Sequence, residues 1–88
     1  MSEDQEIEGD VIGKIAHYFS NIGVAVIELS GTLKVGDTIH VKGATSDVRQ
    51  EVESMQIEHD KVEKAKKGQS VGLKVEDHVR ENDVVYKV

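Results

Sequence analysis

The 88-residue chain has no cysteine, three aromatic residues (Tyr18, Phe19 and Tyr86) and only three leucines. Without thiols it can form neither a disulfide framework nor a thiolate metal site, and a reducing, cytoplasmic setting is expected. No run approaches the roughly 20 apolar residues of a membrane span, so no membrane partner is expected. Scarce aromatics remove the stacking platforms of single-strand nucleic-acid binders. Sequence-specific base reading and DNA binding are therefore not expected.

Basic residues are missing from the first ten positions, where Glu3, Asp4, Glu6, Glu8 and Asp10 stand without a lysine or arginine. That is the reverse of a secretory or mitochondrial targeting signal. The net charge of -6 is largely that segment's, because residues 11–88 hold 12 acidic against 11 basic side chains. The length suits one core rather than two. The organisation expected is an acidic, disordered tail over residues 1–10 and one domain over residues 11–88.

What the chain has in quantity is valine and isoleucine, 14 and 7 residues. β-branched side chains are stiff at χ1 and fit a pleated sheet better than a helix surface. A first run, Val11 to Phe19, places Val11, Ile15 and Phe19 on one face, and Ser20-Asn21-Ile22-Gly23 supplies a turn. Ala25, Ile27 and Leu29 alternate with Glu28, and Ile39 and Val41 with His40 and Lys42. Val48 and Val52 share one phase and Met55 and Ile57 the other, which predicts a bulge or bend near Glu53-Ser54. Residues 58–67 show no strand alternation and read as a loop or short helical turn. Val71, Leu73 and Val75 form a further run, and Val84 to Val88 the last. The pattern predicts an all-β fold, a six-stranded closed β-barrel.

The chemistry of catalysis is sparse. Gly9 to Lys14 approaches a phosphate-binding loop with one spacer too few and Ile15 where a hydroxyl belongs. The four histidines, His17, His40, His59 and His78, are 23, 19 and 19 residues apart, unlike the compact pairs that hold zinc. There is no Gly-x-Ser-x-Gly elbow, and Glu51 with Glu53 reads as a solvated pair. Neither catalytic residues nor a metal or other cofactor are expected. Lys61, Lys64, Lys66 and Lys67 form the one basic concentration, which Lys34 and Lys74 would join if the fold brings them near.

Leu33–Gly43 (LKVGDTIHVKG), Val52–Val75 (VESMQIEHDKVEKAKKGQSVGLKV) and Val79–Val88 (VRENDVVYKV) together resemble the second, β-barrel domain of elongation factor Tu and its archaeal and eukaryotic counterparts. Gly13-Lys14-Ile15 fits that domain's opening, so the likeness covers residues 11–88. With His17-Tyr18-Phe19 and Gly23-Val24-Ala25-Val26 included, the chain is still more similar to the C-terminal barrel of some collagenase-like peptidases, a family that also includes RNA-modifying proteins. Small archaeal elongation-factor-like proteins look similar too.

The resemblance implies a barrel of the translation-factor domain 2 type, without the GTPase domain and its activity. It implies a non-catalytic, translation-associated module contacting tRNA, ribosomal RNA or a ribonucleoprotein through Gln56, His59, Lys61, Lys66 and Lys74. At positions matching the tRNA-end pocket this chain has Gln56 where the family commonly has Glu, His59 where it has Arg, and Lys74 where it has an apolar residue. The alternative it implies is a protein-interaction module that docks onto a larger enzyme subunit, such as a collagenase-like peptidase or RNA-modifying protein.

Overall fold

Alternating aliphatic and polar residues form strands because one face of each can then be buried while the backbone groups pair sideways. A computed structural model describes residues 10–44 and 46–88, in which the chain is all-β. The strands are β1 (Asp10–Phe19), β2 (Val24–Leu29), β3 (Leu33–Lys34), β4 (Thr38–Lys42) and β5 (Asp47–Glu51), followed by β6 (Met55–Ile57), β7 (Asp60–Val62), β8 (Lys64–Ala65), β9 (Ser70–Lys74) and β10 (Val84–Lys87). The acidic segment 1–9 lies outside the described residues, and Asp10 opens β1.

Eight strands make one sheet in the order β5-β4-β10-β1-β2-β9-β6-β7, and β3 pairs with β8 in a separate ribbon. The strand pairings among the described residues are antiparallel, with Asp10 opposite Lys87 where β1 meets β10. The sheet curls about one core, in which Ile15, Ile27, Ile39, Val41, Val71 and Val85 are fully buried.

The expected closed six-stranded barrel is not what forms. The sheet is an open, curled half-barrel, and β5 stands at one edge and β7 at the other. Residues 52–54 join β5 to β6 across the gap, a reach of at most about 14 Å. The reason for the gap is local. Val52 spends its backbone groups on the turn before β4: its N–H donates to the Asp37 carbonyl and its carbonyl accepts from the Gly36 N–H, both at 2.8 Å. One side chain bridges the seam instead. Gln50, only 9% exposed, donates from Nε2 to the Lys74 carbonyl at 2.9 Å, and its Oε1 accepts from the Glu76 N–H at 2.8 Å.

Two register shifts in β1, between Val11 and Gly13 and between Ile15 and His17, change which side chains face inward. Val11 and Phe19, expected beside Ile15, are 55% and 42% exposed, and Ile12 and Gly13 are buried instead. A bulge inserts a residue and so flips the alternation that follows it. At Gly13 the backbones approach so closely that a Cβ would lie 2.6 Å from the Glu28 carbonyl oxygen. A side chain there would have to push two central strands apart.

Candidate functional site

The second bulge in β1 turns His17 and Phe19 outward and lets Tyr18 pack against the core. Register then carries rows of side chains across the outer face. His17 stands opposite Val26, Val26 opposite Gly72, Gly72 opposite Gln56, and Gln56 opposite Lys61. The next row runs Phe19, Val24, Lys74. Two residues apart on each strand, the rows share one side of the sheet. The result is a strip with half-buried Val24, Val26 and Gly72 along its middle and exposed polar or aromatic groups at both margins.

Of the five residues singled out from sequence, this strip holds Gln56, Lys61 and Lys74. His59 is in the β6–β7 turn and Lys66 follows β8, so neither belongs to the two rows. Lys74 lines a groove with Glu51, Glu53 and Glu76. His59 is exposed at φ 72°, beside Glu58 at φ 52°. Two successive positive φ values between Ile57 and Asp60, which pair directly, make a tight hairpin turn that usually takes Asn-Gly. Glu58-His59 occupies it without the residues that ease it.

Two features escaped the linear reading, and a third was anticipated only as a condition on the fold. At the bulged end of β1 the His17 ring meets Phe19 edge-on at 4.4 Å, and Tyr18 meets His78 at 4.8 Å. His17 Nδ1 lies 3.0 Å from Glu81 Oε2. His40 is not a solvated histidine: its side chain is 14% exposed and its Nε2 bonds Asp47, which also takes Lys42 Nζ at 3.3 Å. The His40 contact first, and then Lys42, hold the Asp47 carboxyl below the usual carboxylate range. Lys34, finally, pairs directly opposite Lys64. The fold thus brings Lys34 to the basic concentration as its condition required, but no sequence signal marks the direct opposition, since the partners lie on two-residue strands too short to show a period.

No group of three or more potential metal ligands occurs among the described residues, and no helix there is long and apolar enough to cross a membrane.

No family model matches the chain. In sequence it is 46% identical over 89 residues to an uncharacterized protease of Methanocaldococcus jannaschii, covering 92% of this chain and 22% of that protein. It is 44% identical over 78 residues to a collagenase of Porphyromonas gingivalis, covering 86% of this chain and again 22% of the relative. These sequence relatives are named as proteases. The chain spans about a fifth of the length of the curated relatives it matches. In fold it matches the C-terminal domain of a Geobacillus thermoleovorans protein described as a U32 peptidase, with a TM-score of 0.85 and 20% identity over 90% of this chain and 92% of that one.

These findings overturn the translation reading. Sequence similarity runs to proteases and structural similarity to a peptidase's C-terminal domain, so the contacts with tRNA, ribosomal RNA or a ribonucleoprotein do not carry over. Of the two resemblances, the collagenase-like one has support and the elongation-factor one does not. Lys74 shares its groove with Glu51, Glu53 and Glu76, and His59 and Lys66 lie outside the two rows.

Proposed function

We propose that residues 11–88 are a non-catalytic docking domain that attaches to the larger catalytic part of a collagenase-like, U32-type peptidase, with residues 1–10 as an acidic solubilising tail. The observation that carries this reading is one of proportion: the similarity takes in nearly all of this chain and only 22% of the M. jannaschii protease. A unit that small within a protease is a candidate for positioning rather than bond cleavage. The outer strip supports the reading. Half-buried valines flanked by Phe19, His17 and Gln56 resemble an interface, where aromatic and apolar groups sit within a polar rim. The cysteine-free composition suits a cytoplasmic partner.

The test is reconstitution. The M. jannaschii relative would be expressed without its matching stretch and mixed with this chain, and complex formation followed by calorimetry and gel filtration. A one-to-one complex is expected, weakened by Phe19→Ala together with Val26→Asp, and the isolated chain should cleave no gelatin. Absence of a complex, or cleavage by the chain alone, would defeat the proposal.

A further inference from the structure

We infer that the β3–β8 ribbon is a contact surface for an acidic polypeptide segment, a reading that rests on the docking role above. Leu33 and Ala65 are fully buried and paired, so the strand period sends their neighbours Lys34 and Lys64, also paired, to the outward side. Side chains directly opposed across an antiparallel pair have Cβ atoms about 5 Å apart, where like charges repel. Lys66 shares the parity of Lys64 and is exposed. None of these lysines forms an ion pair among the described residues. Asp37, three residues from Lys34, is engaged elsewhere: it accepts from the Lys34 backbone N–H at 2.9 Å and faces Lys87 Nζ at 3.8 Å.

Among the described residues the ribbon thus carries a cationic pair without an ion-pair partner, where the short ladder has least to offset it. An acidic strand laid over the ribbon reverses the sign of that interaction. Side chains on one side of a strand repeat every 6.6 to 6.8 Å or so. Acidic residues at alternate positions of the partner would therefore meet Lys64 and Lys66 along one strand, with Lys34 across from them. A polypeptide fits better than a nucleic acid, because the chain's relatives are proteases and no aromatic ring lies on the ribbon to stack a base. A second copy of this chain, whose Glu6 and Glu8 alternate in the same way, is the rival occupant.

The probe is a peptide of about ten residues alternating Glu and Ala, titrated into the full isotope-labelled chain at about 0.15 M salt, where surface attraction reaches only about 8 Å. Amide shifts are expected at Leu33, Lys34, Lys64 and Ala65, and Lys34→Glu with Lys64→Glu should weaken binding at least tenfold. Lys34→Gln with Lys64→Gln checks that the loss does not come from unfolding. Lys34→Glu alone should raise the urea midpoint while weakening the peptide, as expected of a charge held against stability. Shifts confined to other faces, unchanged binding by the charge-reversed variant, or a short RNA moving the same amides at lower concentration would overturn the inference. So would ribbon shifts that appear on concentrating the chain alone. The reconstituted complex separates the two claims. Equal binding of wild type and the charge-reversed chain removes the ribbon and leaves docking; peptide binding at the ribbon without any complex does the opposite.

Discussion

Along the wall β4-β10-β1-β2-β9 every strand is joined to the next by a backbone ladder, whereas between β5 and the end of β9 the hydrogen bonds identified among the described residues come from the Gln50 side chain. A ladder distributes its hydrogen bonds over many residues and keeps most of them when one side chain changes. A side-chain bridge concentrates the joint in two bonds at a single position. The wall should therefore fail globally and the seam locally.

Deep in the wall, Ile27→Ala removes a fully buried side chain from the middle of the sheet. It should cost about 3–4 kcal/mol in urea unfolding, and a loss under about 1 kcal/mol would place the core elsewhere. At the seam, Gln50→Ala leaves the Glu76 N–H and the Lys74 carbonyl without their partner. Its expected cost is about 1–2 kcal/mol, with amide exchange accelerated at Glu76 and unchanged at Ile27. Uniform acceleration would erase the distinction between the two regions.

The strands beside the seam sharpen the contrast. Glu58→Asn with His59→Gly supplies the residues that the β6–β7 turn prefers and should stabilise the chain by about 1 kcal/mol. No gain would mean that the surrounding contacts already relieve the turn. The smallest effect is expected at Asp47, which ties the edge strand β5 to β4 through His40 and Lys42. Because these partners hold its folded carboxyl low, the stabilisation is present above the unfolded carboxylate's ordinary range and is lost as pH falls through the folded value. The urea midpoint of Asp47→Asn should therefore fall less than that of wild type on acidification below about pH 4; parallel curves would remove the effect.

Much of this architecture can be read along the chain. Ala25-Ile27-Leu29, Ile39-Val41 and Val71-Leu73-Val75 bury their side chains as period-two alternation predicts. The departure from phase after Val52, which predicted a bulge or bend near Glu53-Ser54, corresponds instead to a break between two strands, since residues 52–54 lie outside β5 and β6. Of the two register shifts of β1, the first has a local marker in Gly13, a glycine within a strand, whereas the second, between Ile15 and His17, has none. Residues 58–67 hide β7 and β8, since the β6–β7 hairpin lacks the Asn-Gly signal and the two strands are only three and two residues long. The candidate site was legible only in part. Gln56 and Lys61 meet through a short hairpin, but Lys34 meets Lys64 at a separation of thirty residues, beyond the reach of any local pattern. The translation reading failed for a different reason: it carried a function over from a likeness of short motifs, and the similarity over the length of the chain runs to proteases instead.

Where β1 pairs with β10, Asp10 stands beside Lys87, so tension applied between those two residues would peel the sheet open one rung at a time instead of shearing all its rungs together. A lever anchored at that point would meet little mechanical resistance, for all the depth of the valine and isoleucine packing behind it.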